Sequence, residues 1–297
     1  MTQPSTQRLM RIWRQYRAGL ATADEVVAAW IEATRHAGNS ENDRARGIAW
    51  ITSDPDGFDV YLRSWGVRAP GEAWYDKRWL VIDTETTGLD DARIIELGAV
   101  VMQGGEVIAH RSSVFDPGKP IDEGATAAHG ITDDMVRGRP RITDPNPITG
   151  RTPAQGLDRF VAEHDARVIV GYNALGFDLP IMRRELGHTW DQIEACCLVV
   201  DPLVVVRMDG CGRYWKGQGR HKLVNVAERF KLTAPVEGMR STAHRAVWDA
   251  VLAGRVLWRL RKHLPESAIE CAEVMRTESA KQQANFDAWK ASQSRVA

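Results

Sequence analysis

Asp83 and Glu85 stand one residue apart at the end of the run Leu80-Val-Ile-Asp-Thr-Glu-Thr-Thr-Gly-Leu89. On a β-strand, residues i and i+2 face the same side, so the two carboxylates aim at one point. The apolar residues before them bury the strand, and Thr-Thr-Gly ends it, so its end opens onto a site. Two carboxylates held together repel each other unless a cation lies between them. With no Cys or ligand-spaced His nearby, an all-oxygen site favours Mg²⁺ or Mn²⁺ over zinc. The plainer reading of the same pair is a capped turn. Cys196, Cys197, Cys211 and His221 offer a zinc donor set, but their spacing fits no standard pattern.

Asp178 lies just past a strand in Val170-Gly-Tyr-Asn-Ala-Leu-Gly-Phe-Asp-Leu-Pro180, where it also reads as an N-cap for a helix beginning at Pro180. Asp249 sits in the apolar helix Ala246-Val-Trp-Asp-Ala-Val-Leu252, with His244 five residues earlier. Five residues turn a helix by about 500°, about 140° off one face, so both cannot point inward from a regular helix. His244 therefore lies before the helix or on its first turn, with Ser241 or Thr242 as candidate cap.

This spaced set resembles the DEDDh branch of the DEDD-superfamily 3′–5′ exonucleases. That family includes the proofreading subunit of the bacterial replicative polymerase, RNase T and the oligoribonucleases. The first motif matches as Asp83-Thr-Glu-Thr-Thr-Gly, the second as Asn173 to Phe177-Asp178, and the third as His244-Arg-Ala-Val-Trp-Asp249. His129-Gly-Ile-Thr132 and His221-Lys-Leu223 are further landmarks, and the resemblance covers residues 79–262. It implies an RNase H-like α/β fold and hydrolysis of single-stranded or frayed DNA 3′ ends to 5′-mononucleotides. Asp83, Glu85, Asp178 and Asp249 would hold two Mg²⁺ (or Mn²⁺), which activate a water and stabilise the leaving oxygen. His244 would take the proton of the attacking water. Backbone beside Thr84 and Thr86 would seat the terminal nucleotide, and Leu89 would wedge against its base. Asn173 and Phe177 would line the same pocket, with His129 among the substrate contacts.

Two departures stand out. Tyr172 replaces the His that usually opens the second motif in bacterial proofreading members, and Asn173 to Asp178 is one residue longer, as in family-B polymerase exonuclease domains. A proline-rich insertion occupies 140–153. The rival readings are an RNA exonuclease and a non-catalytic 3′-end-binding or scaffold protein, since the carboxylates do not sense a 2′-OH.

The chain of 297 residues is long enough for a large core and a smaller domain. Its net charge of +0 carries no global nucleic-acid signature. Four Cys make no disulfide framework and point to a reducing, cytoplasmic location. No apolar run is long enough for a membrane span, and the polar N-terminus is not a signal peptide.

Residues 1–75 read as a small all-α domain plus linker. Leu9, Ile12, Trp13, Tyr16 and Leu20 form one stripe of a first helix, with Arg8, Arg11, Arg14 and Arg17 opposite. Thr22-Ala-Asp-Glu25 is a capping box for a helix stopping at Gly38, Ser40 caps a third, and Asp54-Pro55 opens a fourth. Trp13, Trp30, Trp50 and Trp65 are its core candidates. The basic face suits phosphates or an acidic partner such as a polymerase. Residues 76–264 form the exonuclease-like domain, with strands at 79–83, 93–102, 107–115, 168–170 and 198–200. Three strands joined by short turns must be antiparallel, and the later helices cover a mixed five-stranded sheet. A long helix is expected over 241–263. Residues 265–297 form a polar C-terminal helix. The segment 207–222 alternates Arg and Lys with Gly around Tyr214-Trp215, the composition a loop needs to bind a single strand.

Overall fold

The computed structural model describes residues 4–36, 41–55, 57–58, 62, 73–195, 197–233 and 245–293, in two compact units, Met1–Trp65 and Gly66–Ala297. The first unit holds α1 (Pro4–Arg17), α2 (Ala23–His36) and α3 (Glu41–Ser53). Leu9 and Trp13 are buried, whereas Leu20 is 79% exposed because the chain leaves the helix at Gly19, φ 73°. The capping box forms: Thr22 N–H reaches Glu25 Oε2 at 2.8 Å, and Glu25 N–H reaches Thr22 Oγ1 at 3.3 Å. Asp54 caps as its Pro neighbour suggests, accepting the Gly57 N–H at 2.9 Å. Trp13 and Trp30 enclose Phe58 edge-on, at 4.7 and 5.4 Å between ring centroids. Trp50 is only half-buried. Gly38, Ser40 and Trp65 lie outside the described residues. On the arginine face, Arg8 pairs with Glu32 of α2, and Arg17 keeps its charge while lying 5.8 Å from the Trp13 ring.

The second unit begins earlier than residue 76. Trp74, in a 3₁₀ turn, stacks on Trp79 at 5.5 Å and donates its indole N–H to the Pro265 carbonyl at 2.8 Å. Its sheet comprises β1 (Arg78–Thr86), β2 (Ile94–Gln103), β3 (Glu106–Val114), β4 (Ala166–Val170) and β5 (Leu198–Val200), in the order β3-β2-β1-β4-β5. β1, β2 and β3 are antiparallel neighbours, while β4 runs parallel to β1 and β5 parallel to β4. This is the RNase H-like mixed sheet that the motifs imply.

Strand alternation gives β1 two different faces. Leu80 and Ile82 point into a core with Leu157 and Phe160 of α6 (Pro153–His164) and Leu179, Met182 and Trp190 of α7 (Asp178–Ala195). Two short helices precede these, α4 (Glu123–His129) and α5 (Asp133–Val136). The proline-rich stretch is exposed except for Ile142, which is buried in the same core. It ends in a capping box, Thr152 with Gln155, that starts α6 at Pro153. Asp201-Pro202 starts a helix absent from the sequence reading, α8 (Pro202–Val206), followed by α9 (Leu223–Arg229). Trp79, Val81, Asp83 and Glu85 take the other face, paired across to Met102, Val100, Gly98 and Glu96.

Against that second face lies α10 (Ala246–Leu260). A Cβ on Gly98 would come within 2.4 Å of the Ala246 carbonyl carbon, and one on Gly254 within 2.2 Å of Met102 Sδ. Missing side chains thus let helix and sheet touch where Asp249 must reach β1. Arg245 is extended (φ −119°, ψ 136°), so the helix begins at Ala246 and does not run unbroken from 241. Gly98→Ala is expected to cost about 1–3 kcal/mol through overpacking, read as a lower urea midpoint. Activity should fall further than stability, because the helix start carries Asp249; a silent substitution would contradict this close approach. The C-terminal helix α11 (Ala268–Gln293) packs on this unit: Cys271 and Met275 are buried, and Gln282 donates to the Val204 carbonyl at 2.9 Å.

Candidate active site

The three mutually parallel strands end on one side of the sheet, where open α/β sheets place their ligands. The end of β1 carries Asp83 and Glu85, the chain after β4 carries Tyr172 to Asp178, and Asp201 follows β5. Asp83, Glu85 and Asp249 of the first turn of α10 each offer a carboxylate oxygen, all within 4.8 Å of one another. Among the described residues no other such group forms. Cys197 and His221 make separate contacts, to the Ala166 and Gly212 carbonyls, and Cys196 lies outside the described residues.

Asp178 reaches the same strand end from the α7 side. It is buried, and its Oδ1 accepts both the Thr84 N–H at 3.0 Å and the Thr84 hydroxyl at 2.6 Å. Thr84 therefore positions Asp178 through both its backbone N–H and its hydroxyl. Asp178 is outside the close trio, yet after burial its charge is the strongest influence raising the Asp83 pKa.

Crowding leaves these acids hard to ionise. Burial, then Asp178 and Asp249, lifts Asp83 well above the usual carboxylate range. Burial, then Asp249 and Glu96, pushes Glu85 up to about 8. Burial raises Asp178, against the opposing Thr84 hydrogen bonds. Close carboxylates with elevated pKa values fit a hard divalent cation, which restores their charge. The folded chain holds a proton on Glu85 between its ordinary 4.5 and about 8, whereas the unfolded chain releases it. Without metal, the Glu85 contribution to stability should therefore be fully present at the foot of that window and be lost as pH rises through it. Melting in chelator should show a lower Tm at the top of the window than at its foot. Glu85→Gln should flatten that dependence, and an unchanged slope in this variant would contradict the assignment.

Glu96, absent from the candidate residues of the sequence reading, fixes α10 in place. It is 1% exposed and receives Arg245 Nε and Nη2, each at 2.8 Å, the Ser112 hydroxyl at 2.7 Å and the Ala246 N–H at 3.4 Å. Burial pushes its pKa up, but the Arg245 and Ser112 hydrogen bonds outweigh that and hold it below the ordinary value. A carboxylate from β2 thus caps the helix that delivers Asp249. The sequence signal is an acid inside the apolar run Ile94-Ile-Glu-Leu-Gly-Ala-Val100, since a buried charge requires a partner. Arg245 follows His244 directly; His244 itself lies outside the described residues.

The remaining candidates surround this end of β1. His129 is buried; its Nδ1 accepts the Ile131 N–H at 3.0 Å, so the proton sits on Nε2, which donates to the Thr86 carbonyl at 3.2 Å. That bond braces the turn after Glu85, and Thr86 Oγ1 adds a second to the Gly88 carbonyl at 2.9 Å. Leu89, at the tip, is 82% exposed. Phe177 packs half-buried on the core. Asn173 is exposed, at φ 65°. Its N–H, with that of Leu175, is held by Asp201 at 2.9 and 3.2 Å. Asp201 was readable as an Asp-Pro cap, the signature already recognised at Asp54-Pro55.

An exonuclease family model, that of RNase T, matches residues 80–257. The chain belongs to this exonuclease family. The match takes in Asp83, Glu85, Asp178, His244 and Asp249. The chain is 30% identical over 200 residues to the DNA polymerase III PolC-type of Halalkalibacterium halodurans, covering 65% of this chain and 12% of that protein. It is 30% identical over 235 residues to the DNA polymerase III subunit epsilon-like protein of Rhodobacter capsulatus, covering 75% of this chain and 29% of that one. This exonuclease-family chain thus spans only a minor part of the length of these curated relatives. A solved structure of Exonuclease X in complex with 5′-overhanging duplex DNA is 24% identical, with a TM-score of 0.45, covering 67% of this chain and 98% of that one. Among the described residues, no helix is long and apolar enough to cross a membrane.

Proposed function

We propose that this chain is a divalent-metal-dependent 3′–5′ exonuclease that hydrolyses single-stranded or frayed DNA ends to 5′-mononucleotides. The observation that carries the proposal is the meeting of Asp83 and Glu85 of β1 with Asp249 of α10, all within 4.8 Å, in an exonuclease-family domain. These three, with Asp178, would hold two Mg²⁺ or Mn²⁺, which when bound supply a deprotonated water and stabilise the departing oxygen. The residues of the chain do the positioning. Thr84 orients Asp178, Glu96 and Arg245 fix the start of α10, and His129 braces the turn bearing Leu89. His244 receives the proton of the attacking water. Leu89, exposed at the strand end, meets the terminal base, with Asn173 and Phe177 beside it.

DNA is the assigned substrate because the matched relatives carry the name DNA polymerase III. Their names also favour a replication or repair role, with residues 1–75 meeting a polymerase or another protein. The neutralisation of Arg8 by Glu32 favours protein over phosphate as the partner of that unit. The free thiols of Cys197, Cys211 and Cys271 suit the cytoplasmic location we assign. Matched DNA and RNA single strands, each with Mg²⁺ or with chelator, test the reading. Release of 5′-deoxymononucleotides in Mg²⁺ alone is expected. Faster release from RNA would transfer the same chemistry to RNA, and release in chelator would overturn metal dependence.

A further inference from the structure

The segment 207–222 carries Arg207, Arg213, Lys216, Arg220 and Lys222 against one acid, Asp209, in a chain whose net charge is +0. It forms a built platform. Gly212 N–H bonds to the Val206 carbonyl at 2.8 Å, and the Gly212 carbonyl lies 2.9 Å from His221 Nε2. Trp215 packs between Phe230 at 6.0 Å and His221 at 6.3 Å, with the Arg229 guanidinium 5.0 Å from its ring. The Gly219 carbonyl accepts from Asn225 at 2.9 Å.

Both ends of this platform are pinned to the turn that leads to Asp178. At the start, Asp201 holds the Leu203 N–H of α8 at 2.9 Å as well as the N–H groups of Asn173 and Leu175. At the end, the Tyr172 hydroxyl donates to the His221 carbonyl at 2.6 Å. The Tyr for His departure in the second motif thus ties a basic loop to the catalytic strand ends. Among the described residues, Arg207, Lys216, Arg220 and Lys222 have no ion-pair partner, whereas Asp209 is matched by Arg213 at 2.9 Å and Lys281 at 3.9 Å. Tyr214 is 75% exposed, its hydroxyl fixed on Asp209 at 3.0 Å, so its ring is presented to solvent.

We infer that this loop is the binding platform for the single strand upstream of the scissile bond, its cations meeting phosphates and Tyr214 stacking on a base. Unpaired cations beside a held aromatic face are what sequence-independent strand binding requires, and they supply locally the charge that the whole chain lacks. The inference rests on the nuclease reading for the polarity of the strand, though not for its binding.

Fluorescence anisotropy of labelled oligothymidylates on the full chain, with Ca²⁺ replacing Mg²⁺, tests it. Arg220→Ala with Lys222→Ala removes two exposed charges, so the slope of log affinity against log salt should fall by about 1.4 for long strands. Tyr214→Ala should weaken long-strand binding about tenfold. A dinucleotide, too short to reach the platform, should bind parent and variants alike. Unchanged slope and affinity, or equal losses for short and long strands, would overturn the inference. If the parent releases no mononucleotides while the variants still lose long-strand binding, the nuclease reading fails and the platform stands. If the parent degrades strands and the variants bind as it does, the platform fails alone.

Discussion

Asp83→Ala is expected to abolish measurable hydrolysis while leaving the chain folded. Asp83 lies within 4.8 Å of Glu85 on its own strand and Asp249 on α10, and the charge of Asp178 on α7 also acts on it. On the proposed reading, loss of Asp83 would remove a ligand from a site where metal would serve both nucleophile activation and leaving-oxygen stabilisation, about several kcal/mol in all. That is on the order of a thousandfold or more in rate. Stability should move the other way. Asp83 is buried and its ionised form is disfavoured by burial and by its neighbours, so the metal-free variant should melt above the parent at alkaline pH. Metal titration by calorimetry should show weakened binding. Normal cleavage by this variant would refute the site.

His244→Ala should separate chemistry from binding. The four carboxylates remain, so metal and a 3′ end should bind nearly as before. The rate should fall by about 10²–10⁴, the usual contribution of a positioned general base. Higher pH should partly restore it, because hydroxide replaces the missing base. Loss of metal binding together with activity, or full activity, would remove His244 from this role. Its attachment makes the expectation specific: the next residue, Arg245, is clamped by Glu96, and α10 begins at Ala246.

Much of this was legible because local patterns agree with the fold. Alternation put Asp83 and Glu85 on one face, the short turns between the first three strands fixed the antiparallel run, and Thr22 with Glu25 and Asp54 with Pro55 capped as their chemistry dictates. What escaped depends on contacts between distant residues. The Glu96–Arg245 pair joins positions that only the packing of α10 on β2 brings together. Gly98 reads as an ordinary strand glycine until the helix backbone beside it is seen. Helix α8 was signalled by Asp201-Pro202, but the apolar Leu203 to Val206 after it is too short for a helical period to show. The bond from Thr84 N–H to Asp178 likewise joins residues far apart in the chain, so nothing local shows it.

The most direct measurement is the product ladder from a 5′-labelled single strand incubated in Mg²⁺ with the parent chain or with Asp83→Ala. Stepwise shortening from the 3′ end by the parent, with release of 5′-mononucleotides and no shortening by the variant, is the predicted result. An inert parent, internal cuts in place of a ladder, or equal shortening by Asp83→Ala would contradict the account.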